Sequence, residues 1–299
     1  DTLTAIQIFN EEWEMIIDEL EKGGFPPLER QLARTSEKLN GIPMIQPPET
    51  VPTIALLGEI FVRRDALSRQ YLTERLAEKG FATACSPIAE WILYSDYLVG
   101  KGLTDHKMSR MDRLKFKLKQ RSMAKYKKRI KSVMSRSGLV SPELLDINSI
   151  IRNAIPYISP NLAGEAILTV GSALTEIVSH ACGVIAIGPF GCMPNRLSEA
   201  ILNEIMTREG KLATQPKSKQ LNTILENIDD LPFLAIESDG SPFPQLITAK
   251  LETFCLRAKR LHHKMLKVKN PNKAIIYGKK ETPMDRDDDA HPSIDDPYN

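Results

Sequence analysis

Residues 51–85 read VPTIALLGEIFVRRDALSRQYLTERLAEKGFATAC. The run 53–57 is short and apolar and ends at Gly58, as expected of a strand buried on both faces. Across 65–79, Leu67, Tyr71, Leu72 and Leu76 recur at helical spacing, and Gly80 closes the segment. Residues 81–85 return to a strand. Parallel strands need a long crossover, usually a helix, so strand–helix–strand in this order predicts a parallel sheet.

The same rhythm extends outward. Residues 87–99 read as a helix, 183–187 as a strand, 197–206 as a helix, 233–236 as a strand and 245–266 as a long helix. Between the halves lie a helix over 142–155 and a long one over 161–182, with Gly164 and Gly171 inside it. Before them, 4–22 is amphipathic, with Ile6, Phe9, Trp13, Ile16, Ile17 and Leu20 on its apolar stripe, and Gly23–Gly24 stop it. A second helix over 27–40 leads to a linker marked by Pro43, Pro47, Pro48 and Pro52. The fold class is α/β, an open and mostly parallel sheet flanked by helices, of the Rossmann or flavodoxin kind. The expected organisation is a helical arm and linker at 1–50 and an α/β domain at 51–270 with a helical insertion at 101–160. An acidic tail at 271–299 is expected to be disordered.

The 299 residues are 42% hydrophobic and 26% charged, which excludes global disorder. No apolar run approaches the 18 or so residues of a membrane span, and no secretory signal is evident. The net charge of +2 conceals an asymmetry. Residues 101–138 carry 14 Lys and Arg against Asp105 and Asp112, while six Asp crowd 285–299. In the basic stretch, Met108, Met111, Leu114 and Leu118, then Met123, Tyr126, Ile130, Val133 and Met134, fit a helical hairpin with solvated outer faces. Such a surface suits an acidic partner or the phosphates of an acyl-CoA. Few aromatics interleave, so nucleic acid is the weakest reading.

Ligands of open α/β sheets bind beyond the carboxyl ends of the strands. Three such ends are rich in Gly and polar groups: Gly58-Glu59-Ile60-Phe61-Val62-Arg63, Gly188-Pro189-Phe190-Gly191-Cys192-Met193-Pro194-Asn195, and Glu237-Ser238-Asp239-Gly240-Ser241. Gly188 and Gly191 permit a tight turn, and Cys192 falls near a helix N-terminus, where a thiolate is stabilised. That thiol reads as a nucleophile or metal ligand, or as an inert member of a structural turn. Glu59, Glu237 and Asp239 read as ligand-binding groups, as orienters of Arg63, or as caps of the following helix. The four cysteines, Cys85, Cys182, Cys192 and Cys255, have no CxxC spacing and read as thiols in a reducing, cytoplasmic compartment. His106, His180, His262, His263 and His291 belong to no recognisable motif; His262 and His263 are expected to be exposed, and His180 packed or capping. GxSxG, P-loop, HExxH and GxGxxG patterns are absent from the sequence.

Three segments, 51–65 (VPTIALLGEIFVRRD), 182–202 (CGVIAIGPFGCMPNRLSEAIL) and 231–260 (LPFLAIESDGSPFPQLITAKLETFCLRAKR), together resemble one family. It is the C-terminal region of the acyl-CoA dehydratase activase-related proteins, grouped with 2-hydroxyacyl-CoA dehydratases, benzoyl-CoA reductases and double-cubane-cluster proteins. GPFGCMP and the GEI-FVR turn are its most specific marks, and the similarity covers about residues 1–265 outside the basic insertion. The resemblance implies iron–sulfur redox chemistry with a 4Fe–4S cluster held by cysteines, and electron transfer driven by an ATP-dependent activase. It implies that Cys192 is a cluster ligand; Cys85, which follows another strand and is expected on the same sheet edge, is the second candidate. Cys182 and Cys255 are then structural. Glu59, Arg63, Gly188, Gly191, Asn195, Glu237 and Asp239 line the cleft. The family's ATPase module has no counterpart in this chain, so the implied partners are other domains or subunits of an acyl-CoA dehydratase and activase system. The rival expectation is a non-catalytic module that docks acidic partners through 101–138.

Overall fold

A computed structural model describes residues 2–104, 109–162 and 164–269. Its centre is a four-stranded, all-parallel sheet of β1 (Thr53–Gly58), β2 (Ala82–Cys85), β3 (Gly183–Pro189) and β4 (Phe233–Ser238), in the order β2-β1-β3-β4. The α/β class is as expected. The central strands are continuous apolar runs and are buried almost throughout, whereas the edge strands β2 and β4 alternate in exposure.

The helices are α1 (Thr2–Lys22), α2 (Phe25–Asn40), α3 (Leu72–Glu78), α4 (Ala89–Lys101), α5 (Arg110–Met134), α6 (Ile147–Ala154), α7 (Glu165–Glu176), α8 (Met193–Ile205), α9 (Arg208–Thr214), α10 (Lys219–Ile224) and α11 (Gln245–Lys269). Two glycines of β3 show which helices cover which face. A Cβ on Gly183 would strike Phe254 of α11, and one on Gly188 would strike Asn195 of α8. The two positions are an odd number of residues apart, so they face opposite sides of the sheet. α7 and α8 therefore share one face. α11 lies on the other, where Glu252 meets Lys79, just past the end of α3, at 2.5 Å.

Several boundaries differ from the sequence expectation, each for a local reason. α3 starts only at Leu72 because Gln70 and Tyr71 are left-handed, at φ 53° and 52°, which a continuing helix cannot accommodate. Leu67 and Tyr71 are consequently exposed. Gly164, at φ 147°, precedes α7 rather than lying within it, and Val178, at φ 67°, follows its end. α6 starts at Ile147, where Asp146 caps the Asn148 N–H, rather than at residue 142. α9 and α10 were not anticipated; Thr207 and Ser218 cap them.

From Arg110 to Met134 the basic stretch is one continuous helix rather than a hairpin. A capping box between Ser109 and Asp112 starts α5. Its second half packs on the arm: Val133 joins Ile16 and Leu32 in a small core apart from the main one. Ser36 Oγ donates to the Val133 carbonyl at 2.9 Å, and Arg129 forms a two-pronged pair with Glu29. Its first half is held at Phe116, which lies against Gly100, and leaves Met111, Leu114 and Leu118 in solvent. Ile6, Phe9, Trp13 and Leu20 of α1 are likewise exposed. Among the described residues, no helix is long and apolar enough to cross a membrane. The expected disordered tail, His106 and His291 lie outside the described residues.

Candidate functional site

The chain leaves β1 toward β2 on one side and reaches β3 on the other. The connections therefore diverge beyond the carboxyl ends of β1 and β3, where open α/β sheets form a crevice. Gly58 ends β1 at φ 99°, and a Cβ there would fall 2.1 Å from the Ile187 carbonyl oxygen. Only glycine fits this close approach.

Glu59 turns its carboxylate onto its own loop, accepting from the N–H groups of Phe61 (2.9 Å) and Val62 (2.7 Å), while its N–H donates to the Ile187 carbonyl at 2.8 Å. It is a cap and a strand tie. The loop it shapes carries Arg63 inward, leaving that side chain only 3% exposed. Arg63 Nη1 donates to the Gly58 carbonyl, and Nη2 stands 3.8 Å from Glu90. Nε and Nη2 have no hydrogen-bond partner.

Asn195, in the first turn of α8, folds over Gly188 and is 5% exposed. Neither its Oδ1 nor its Nδ2 has a partner. Glu237 of β4 is paired in register with Gly188, so its side chain points to the same face. Its Oε2 meets Arg196 at 2.6 Å, and its Oε1 is buried without a partner. Gly58 is level with Ile187, next to Gly188. Arg63, held on the Gly58 carbonyl, Asn195, folded over Gly188, and Glu237 thus follow one another in strand order, a row along the carboxyl edge of β1, β3 and β4. Asp239 lies outside this row. Its carboxylate accepts from the Ser241 hydroxyl and from the Ser241 N–H (2.9 Å), which together hold it below its ordinary value, and it is exposed.

Behind Arg63 stand groups that the sequence reading missed. Ser172 of α7 donates to Glu90 of α4. Glu165, at the start of α7, accepts from the Ile60 N–H (2.8 Å) and from Trp91 Nε1 (3.2 Å). Burial pushes both carboxyls above the usual range; Ser172 and Arg63 oppose it at Glu90. The available signal was an acid set among apolar helical residues.

Cys192 occupies the N-cap of α8 as expected, without a side-chain capping bond, and is half-buried. Gly191 supplies the positive φ, 74°, that the turn needs. Phe190 and Met193, on either side of this thiol, are largely exposed. Cys85 is not brought to it. Register aligns Cys85 with Leu56 and Leu56 with Ile185, four residues before Pro189. At about 3.3 Å per residue and two strand spacings, Cys85 and Pro189 are about 16 Å apart. Cys192 stays one turn from Pro189, its N–H donating to the Pro189 carbonyl at 3.1 Å. The Cys85 thiol turns to the Arg63 carbonyl at 3.7 Å.

The other thiols are no closer. Cys182 precedes β3 at the amino edge and donates to the Thr53 carbonyl at 3.3 Å; burial pushes its pKa up to about 12. Cys255 is buried in α11, and burial raises it as well. Among the described residues, no three His, Cys, Asp or Glu side chains stand together as a metal-holding group. An iron–sulfur cluster needs several thiolates at one place. The four cysteines do not fit a cluster held by this chain alone.

Of the histidines, His180 lies between Glu176 (3.2 Å) and Glu143 (3.1 Å). His263 is exposed as expected, but His262 is partly buried, with Nε2 2.9 Å from the Thr50 carbonyl. Fold and row together define a parallel α/β protein with a polar site at its switch point. No family model, curated protein or solved structure matches the chain.

Proposed function

We propose that this chain is a redox or activation lobe of the acyl-CoA dehydratase and reductase type, with the carboxyl edge of its sheet as the working surface. One observation carries the reading. Among the described residues, eight buried side-chain polar atoms have no hydrogen-bond partner, and five of them belong to Arg63, Asn195 and Glu237, the members of one row; Glu12 Oε1, outside the row, is met by Lys38 in an ion pair, and Arg63 Nη2 stands 3.8 Å from Glu90. Buried polar groups are ordinarily paired, and a cluster of unpaired ones is expensive unless something completes it. Beside the row, Cys192 is bracketed by exposed Phe190 and Met193, a surface suited to cover by another lobe. In this reading Cys192 is the one thiolate that the chain contributes, and other lobes, or further copies of this chain when it is alone, supply the rest.

The test is anaerobic reconstitution of the full chain with iron and sulfide. Bound iron below one cluster per chain, accompanied by association of chains, is expected. Cys192→Ala abolishes both, and the buried Cys182→Ala retains them. Absence of iron in the parent chain, or equal iron in Cys192→Ala, overturns the reading.

The second reading, docking of acidic partners, is favoured by the first half of α5. Its bases surround Met111, Leu114 and Leu118 in solvent, so an acidic helix could meet charge and apolar surface together. The triple variant Lys115→Glu, Lys117→Glu, Arg121→Glu should weaken binding of a glutamate-rich peptide at least about tenfold, as expected from loss of rim attraction. Its melting temperature should stay unchanged. No binding by the parent chain, or equal binding by the variant, sinks this reading.

A further inference from the structure

At the opposite, amino edge of the sheet is a cavity of about 500 Å³, walled by α6, the α7–β3 connection, the α9–α10 segment and the end of α11. Its polar lining includes Arg152, Asn153, Ser179, His180, Ser218 and Lys269, and no Asp or Glu among the described residues lines it. Arg152 is exposed on α6, and its side chain makes no hydrogen bond or ion pair with the other described residues. Leu221 and Ile224 give one side an apolar surface.

The wall is built around the end of α7. Lys269 Nζ donates to the Val178 and Ser179 carbonyls, both at 2.7 Å. Behind the wall, the fully buried Lys211 donates to the carbonyls of Leu174 (2.6 Å) and Thr175 (3.2 Å) and to Ser179 Oγ (3.1 Å). Between them Val178 lines the cavity at φ 67°, a strained conformation for a β-branched residue. Strain of this kind persists where the surroundings over-determine it, and it gathers at ligand clamps. The nearby carboxylates, Glu143 and Glu176, are both engaged by His180. Around them stand the guanidinium of Arg152 and the amines of Lys211 and Lys269, although burial pulls both lysines down, Lys211 to about 8.

We propose that this cavity binds a small organic phosphate. The phosphate group faces the planar guanidinium of Arg152 and the Lys269 ammonium, with Ser218 and Asn153 as neutral partners. The organic part lies against Leu221 and Ile224. A free guanidinium in a cavity without acids suits a polydentate anion of high charge, which phosphate is and a single carboxylate is not.

The test uses the full chain and pyrophosphate alone, followed by titration calorimetry. One saturable site per chain is expected. Arg152→Gln, which breaks no side-chain hydrogen bond or ion pair among the described residues, should weaken it by about tenfold or more, the usual effect of losing one charge-assisted pair. The triple reversal in α5 and Cys192→Ala should leave it unchanged, which separates this site from the basic helix and from the carboxyl edge. No saturable binding, equal affinity in Arg152→Gln, or loss of binding in the α5 variant overturns the proposal. So does binding that arises only when the six aspartates of 285–299 are replaced, because the occupant is then the chain's own acidic segment.

Discussion

Asn195 shows what a site residue looks like before its ligand arrives. It is buried against Gly188 with both amide atoms unpaired. A buried amide without partners keeps its desolvation penalty, whereas an apolar side chain of similar shape has none. Asn195→Leu should therefore raise the unfolding free energy of the isolated chain by about 1 kcal/mol in urea titration. The same variant should lose the iron bound by the parent. A destabilised Asn195→Leu would mean that the amide is structural. Much of this row was legible in the sequence, since Gly58, Glu59, Arg63, Gly188, Asn195 and Glu237 all follow the ends of apolar runs. Their division of labour was not. Glu59 and Asp239 cap turns, while Glu237 faces Arg196. Glu90 and Glu165 reach Arg63 and its loop only through the packing of α4 and α7, which no local pattern announces. Cys85 ends β2 on the same sheet edge as Cys192, as expected, but register, not strand identity, sets its level and keeps the two thiols apart.

Among the elements, the end of α7 carries the clearest electrostatic signature. His180 is held above its ordinary value first by its hydrogen bond to Glu176, then by the charges of Glu176 and Glu143. A histidine whose folded pKa is raised stabilises the fold below its unfolded value of about 6.5 and loses that contribution as pH rises through the folded value. His180→Gln should therefore lower the melting temperature more at pH 5.5 than at pH 9. An equal loss at both would remove the charge from the explanation. The imidazole is half exposed, so the effect is small. Periodicity located the long elements well: α2, α8 and α11 each bury one stripe, and α1 is a helix although Ile6, Phe9, Trp13 and Leu20 of its expected stripe stay in solvent. It overextended α3 and α7, whose limits depend on left-handed backbone at Gln70, Tyr71 and Val178. It folded α5 into a hairpin because two apolar phases were read as two helices, whereas one helix uses them in turn: Phe116 faces α4 and Val133 faces the arm.

For the whole molecule, alternation of strands and helices carried the fold class, and the apolar completeness of 53–57 and 183–187 marked the two central strands. Their adjacency could not be read, since β1 and β3 are joined by no short connection. That adjacency has a kinetic consequence. Ile54 and Gly183 are partners in the ladder, about 130 residues apart, so the central pairing closes a very long loop, and such non-local pairing slows folding. A ribosome adding about 5–20 residues per second needs about 5–20 s to go from the end of β2 to the start of β3. Through that interval Ile54, Leu56 and Leu57 have β2 beside them and no second neighbour. The nascent chain presents an open, sticky edge until its middle strand is made, and the long helical excursion between the halves sets how long that exposure lasts.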